Sequence, residues 1–124
     1  MRLLLDTHIL LWAMLDDPRL TRAARRAIAE AEAVLVSAAS VWEVAIKSGL
    51  GKLDVPADLF DRALAAGARP LPISWAHARA VQDLPPHHAD PFDRLLIAQA
   101  RCEGLVLVSA DAKFRTYDVD LISG

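Results

Sequence analysis

Four acids stand where carboxylates can do chemistry. Asp6 follows the apolar run RLLL, Glu43 lies in SVWEVAIKSG, Asp93 in DPFDRLLIAQA, and Asp111 two residues beyond LVLVS. Each also has an ordinary structural use. Asp6 suits the N-cap of a helix opening at Thr7, and Ser40 to Glu43 fits the S-x-x-E capping box. Asp90 suits an N-cap with Pro91 at the first helical position, Asp93 complements the helix dipole, and Asp111 can cap a last turn. Capping explains each acid singly. It does not require at least three of them to follow strand ends on one edge, or each to have a hydroxyl or a base beside it. Yet Thr7 follows Asp6, Ser109 precedes Asp111 by two, and Arg94 follows Asp93.

If the four carboxylates converge, mutual repulsion raises some of their pKa values and strains the fold until a cation relieves it. All-oxygen ligation suits Mg2+ or Mn2+ and does not suit zinc. Such an ion acidifies a bound water and stabilises in-line attack on a phosphodiester, most fully when two ions act together. One or two Mg2+ or Mn2+ ions are therefore the expected cofactor. Two divalent ions would also reverse the sign of the chain's formal charge of -2, which by itself gives no basic signature for nucleic acid.

The elements that must position these acids alternate in type. Strands are expected at 2–5, 34–37, 105–109 and 119–122, with a weaker one at 69–73 whose two prolines suggest a sheet edge. Helices are expected at 8–15, at 20–33 with Thr21 as cap, at 40–49 between Ser40 and Gly49, and at 56–67, 74–84 and 90–104. A short turn or helix follows at 112–117. This order predicts the α/β class: one domain over 1–124 with a central, mostly parallel sheet of about five strands flanked by helices. In such a sheet the loops after the strands share one edge, where ligands bind. Asp6, Glu43 and Asp111 fall there, whereas the loop PPHHADP can deliver Asp93 to either edge.

Other classes are disfavoured. No apolar run nears the ~20 residues of a membrane span, and Asp6 and His8 interrupt the N-terminal apolar stretch, which also argues against a signal peptide. A cytoplasmic location is expected. A single cysteine, Cys102, excludes an internal disulfide framework, and its expected place is a buried packing position late in a helix. There is no G-x-G-x-x-G, P-loop or G-x-S-x-G elbow. A haloacid-dehalogenase-like phosphatase would want an acid where His8 stands, and a receiver domain would want an aspartate near Pro72 to Ser74.

The stretches LLLDTHILLWAM, SAASVWEVAIKSGLGKL, HHADPFDRLLIAQA and LVLVSADAKF, in that order, resemble the PIN-domain ribonucleases, most closely the VapC-type toxins of toxin–antitoxin pairs. The likeness covers nearly the whole chain. It implies a metal site made by Asp6, Glu43, Asp93 and Asp111, with the start of the Asp93 helix on the same edge. It also implies Mg2+- or Mn2+-dependent cleavage of RNA, a cognate antitoxin that obstructs the site, and a homodimer. Ser109 stands where relatives often carry threonine, which keeps the hydroxyl.

Within that resemblance Asp6 and Asp93 are expected to hold the principal ion. Glu43 and Asp111 complete its shell through water or hold a second. Thr7 and Ser109 are candidate hydrogen-bond partners of these groups, Lys47 and Arg94 candidate phosphate contacts, and Asp90 an N-cap with an outer role at the metal. His87 and His88 are expected to be exposed loop residues and His8 to lie at the rim. Trp12, Trp42 and Trp75 are expected in core or interface. The competing readings are a catalytically silent RNA- or protein-binding module and a metal-dependent DNA nuclease.

Overall fold

A computed structural model describes residues 1–124. Five strands form one sheet: β1 (Arg2–Leu5), β2 (Ala33–Ser37), β3 (Arg69–Leu71), β4 (Val106–Ser109) and β5 (Leu121–Ser123). Their spatial order is β3-β2-β1-β4-β5, and every neighbouring pair is parallel. The weak strand at the two prolines, β3, is an edge, as its missing amide donors require.

Six helices cover the sheet: α1 (Thr7–Met14), α2 (Arg22–Glu30), α3 (Ala38–Gly49), α4 (Leu59–Ala65), α5 (Trp75–Ala80) and α6 (Pro91–Glu103). Strand residues alternate between the two faces. Leu3 and Leu5 of β1 pack with Ile9, Leu10, Ala24 and Ala63, from α1, α2 and α4. Leu4 packs instead with Leu35, Leu107, Leu96 and Ile97, on the face covered by α6. β1 is thus buried on both faces and paired on both edges, and each such leucine contributes roughly 1.5–3 kcal/mol by burial.

Beneath this second face runs a closed polar network. The Ser37 hydroxyl donates to Gln99 Oε1, and Gln99 Nε2 donates to Pro72 O at 3.3 Å and to His77 Nδ1 at 3.3 Å. The Ser74 amide also donates to that Nδ1, so Nε2 of His77 carries the proton it gives to Glu103 Oε1 at 2.7 Å. Ser37, His77 and Gln99 are buried, and no buried side-chain polar atom in the chain lacks a partner.

Several expectations are corrected. α3 starts at Ala38 with Ser37 as its cap, so Ser40 lies inside the helix and Glu43 falls a turn deeper, outside any capping box. β2 runs into α3 without a connecting residue, and the last strand residue does the capping. Gly49 ends α3, but the left-handed backbone of the stop is at Gly51. The helix expected at 20–33 is shortened to Arg22–Glu30 because Ala33 joins β2. Cys102 is exposed: α6 is buried all round from Leu96 to Ala100, and its last turn, from Arg101 on, emerges into solvent. Of the tryptophans expected in core or interface, Trp42 and Trp75 are 56% and 89% exposed, which excludes the core alone, while Trp12 packs partly against the α1–α2 core with Arg19 over its ring.

Candidate metal centre

The parallel strands bring their C-terminal ends to one edge, and the acids arrive there from separate elements. Asp6 comes directly off β1: its backbone N–H donates to Val108 O at 3.0 Å, and its Oδ1 accepts from Ile9 N at 2.8 Å, capping α1. Glu43 hangs from α3, Asp93 from the first turn of α6, and Asp111 from the turn after β4. Asp90 caps α6, accepting from the Phe92 and Asp93 amides at 2.9 and 3.0 Å, with Pro91 at the first helical position.

Two of these acids are deeply buried. Asp6 is 5% and Glu43 4% exposed. Thr7 lies between them in sequence and in space: its hydroxyl donates to Glu43 Oε1 at 2.7 Å and is bonded to the Ser40 hydroxyl at 3.0 Å. Glu43 Oε2 pairs with Lys47 Nζ at 2.5 Å. That carboxylate holds the Lys47 ammonium firmly protonated, with Asp90 and Asp93 adding to its field.

Electrostatics link several of these acids in pairs. Burial pushes the Asp6 carboxyl above its ordinary range, hydrogen bonds from Ser109 and Ile9 offset part of this, and Glu43 pushes it further up. Burial likewise raises Asp93 to about 6, helped by the charges of Asp90 and Asp6 and opposed by a hydrogen bond from His88. Oxygens of Asp93 and Asp111 and a nitrogen of His88 lie within 4.8 Å of one another. Like charges about 5 Å apart in such a setting repel by roughly 3 kcal/mol. Against these four carboxylates and Asp90 there stand Lys47, His88 and, beside Asp6, His8. The donor set is mostly hard oxygen, and a bound divalent cation would relieve the strain, so the residues fit Mg2+ or Mn2+.

His88 is the residue that sequence reasoning missed. It is 8% exposed, not a free loop side chain, and its Nε2 lies 2.7 Å from Asp93 Oδ2 and 3.5 Å from Asp111 Oδ2. Its backbone N–H donates to the Tyr117 hydroxyl, and its ring meets Phe114 edge-on. His87 beside it is exposed, as expected. Arg94 is also corrected: its guanidinium is used up on the carbonyls of Val81, Leu84, Pro85 and His88, so it braces the loop before α6 and does not face a substrate. Ser109 accepts from the Asp111 amide at 3.1 Å, fixing the turn that carries the fourth acid.

The PIN-domain family profile matches residues 3–120. The chain belongs to the PIN-domain family. A relative in Mycobacterium tuberculosis, Ribonuclease VapC22, is 32% identical over 117 residues, covering 92% of this chain and 90% of that one. Among solved structures, this PIN domain superposes on VapBC2 from Rickettsia felis, bound to a DNA fragment from its promoter, with a TM-score of 0.74 at 16% identity, over 99% of this chain and 98% of that one. A toxin–antitoxin complex from Klebsiella pneumoniae gives 0.66 at 19% identity, over 97% and 95%. At these identities the two structures attest the fold, and this chain shares its overall α/β architecture with them.

Proposed function

We propose that this PIN domain, a single nuclease unit over residues 1–124, is a Mg2+- or Mn2+-dependent endoribonuclease and the toxin of a toxin–antitoxin pair. The observation that carries the reading is the arrival of Asp6, Glu43, Asp93 and Asp111 from four elements at the ligand-binding edge of a parallel sheet, with Asp93 close to Asp111 and Asp6 in the field of Glu43 and Asp93. The similarity to a protein named as a ribonuclease supports RNA as the substrate.

In this reading Asp6 and Asp93 hold the principal ion, and Glu43 and Asp111 complete its shell or hold a second. When bound, the ion neutralises developing charge on the phosphodiester and acidifies water. The chain's own residues do the rest. Thr7 fixes one oxygen of Glu43 and leaves the other facing Lys47. With Glu43 engaged by a cation, the Lys47 ammonium is free to meet a substrate phosphate. Ser109 supports both Asp6 and the Asp111 turn, and one of the acids orients the attacking water as general base.

The partner proposal is a cognate antitoxin, supported by the likeness to a toxin–antitoxin complex. A homodimer is proposed through the apolar surface at Val41 and Trp42, which lie beside Pro70 and Pro72 and are themselves exposed. A cytoplasmic location belongs to the same proposal; no helix is long and apolar enough to cross a membrane. The test is cleavage of mixed RNA, including tRNA, and of DNA, by the purified protein with Mn2+, with EDTA, and with Asp93→Asn. Metal-dependent cutting of RNA that the variant abolishes supports the reading. Cutting that persists in EDTA and in the variant, or cutting of DNA alone, overturns it.

A further inference from the structure

We propose that His88 is a positioning residue of the metal centre: its Nε2–H holds the Asp93 and Asp111 carboxylates together from outside, without itself binding the ion. This rests on the metal reading above and adds a residue and a role to it. The geometry sets the tautomer. The amide of Asp90 points at His88 Nδ1 at 3.5 Å, so Nδ1 presents a lone pair and the ring proton sits on Nε2. Nε2–H then faces Oδ2 of Asp93 at 2.7 Å and Oδ2 of Asp111 at 3.5 Å. The ring is thus hydrogen-bonded to Asp93 on α6 and lies within charge-contact distance of Asp111 on the turn after β4, two elements that no backbone pairing joins at this point.

The ring is built to hold this direction. Phe114 packs against it edge-on at 5.9 Å between centroids, Tyr117 takes its backbone amide at 2.9 Å, and Arg94 donates to its carbonyl at 3.4 Å. Tyr117 is itself fixed by donating to Pro85 O at 2.9 Å. A histidine so braced, with one nitrogen engaged by backbone, orients the oxygens of its partners as outer groups orient metal ligands elsewhere. Asp93 keeps Oδ1 for an ion, while Asp111 Oδ1 accepts from the Lys113 amide at 2.9 Å and has its second lone pair to offer one.

The experiment measures Mn2+ affinity by calorimetry for the wild type, Asp93→Asn, His88→Leu and His88→Gln, with melting in EDTA as the check on folding. It adds pulsed EPR on the Mn2+-loaded wild type for nitrogen coupling. Glutamine supplies an amide N–H in place of Nε2–H, and leucine removes the donor but keeps apolar bulk. The expected result is a loss of about 10–100-fold in affinity for His88→Leu, recovery to within about threefold in His88→Gln, and no nitrogen coupling in the wild type. A directly bound nitrogen in the EPR, or affinity in His88→Leu equal to the wild type, overturns the proposal while Mn2+ binding that Asp93→Asn abolishes leaves the metal reading standing. Absence of Mn2+ binding in the wild type overturns both. If His88→Leu does not fold, the EPR and His88→Gln decide: wild-type affinity without nitrogen coupling supports positioning, and lost affinity or a bound nitrogen overturns it.

Discussion

Two histidines of this chain each lie 2.7 Å from a carboxylate, and they sit in opposite kinds of surroundings. His77 belongs to the closed network of Ser37, Gln99 and Glu103, where every donor meets an acceptor and one acid is present, partly open to solvent. His88 belongs to a cluster where four acids outnumber their counter-charges. Hydrogen bonds are satisfied in both. The difference is charge: the first region uses its polar groups to join β2, α5 and α6, while the second holds like charges close together. Buried polarity by itself therefore does not mark a site, whereas uncompensated charge held by separate elements does.

Exchanging the two regions' weak points breaks this contrast most sharply. Asp93→Asn should lower metal-dependent cleavage at least ~100-fold, as loss of a metal-binding acid does, and leave the melting temperature in EDTA equal or higher. His77→Leu should do the reverse. It strands the donor of Gln99 and costs roughly 1–3 kcal/mol in a urea melt, with cleavage per folded molecule retained. Equal losses of stability in both variants would show that the acid cluster is structural.

Metal should separate the regions next. Mn2+ at about a hundred times its Kd is expected to stabilise the wild type by roughly 2.7 kcal/mol and His77→Leu by the same amount. Asp93→Asn should gain little, read by melting with and without the ion.

pH offers a finer test. Asp93 has a folded pKa of about 6 against an ordinary 3.8, so the folded state binds its proton more tightly than the unfolded chain. Its contribution to stability is greatest below about pH 4 and is lost as pH rises towards about 6. In EDTA the wild type should therefore lose more stability than Asp93→Asn between about pH 4 and pH 7. A parallel decline in both would remove Asp93 as the cause. The smallest effect is expected at Glu103→Gln, which keeps an acceptor for His77 at a 42% exposed position; the change should stay under about 1 kcal/mol.

Much of the fold was legible because its signals are local. Leucine and valine runs mark β1, β2 and β4, and Thr21, Asp90 and Gly104 sit at helix ends in the expected way. The acids were legible because strand ends in a parallel sheet share an edge. The misreadings have one physical source. Ser40 fits a capping box as well as any serine, and only the direct passage from β2 into α3 hands the cap to Ser37. Whether His88 is exposed depends on Phe114 and Tyr117, far along the chain, and nothing in PPHHADP announces them. The same loop carbonyls capture Arg94. Loop side chains take their surroundings from distant segments, and spacing within the loop carries no record of that.

The place of β1 at the centre of the sheet also sets an order in time. Asp6 is synthesised long before the partner strand that fixes its backbone, since β4 begins only at Val106, and Asp111 comes later still. Contacts so far apart in sequence close late in folding. A chain growing from the ribosome cannot assemble all four acids until residues 106–111 have been made, so whatever chemistry the acids support stays switched off until β4 has joined the sheet.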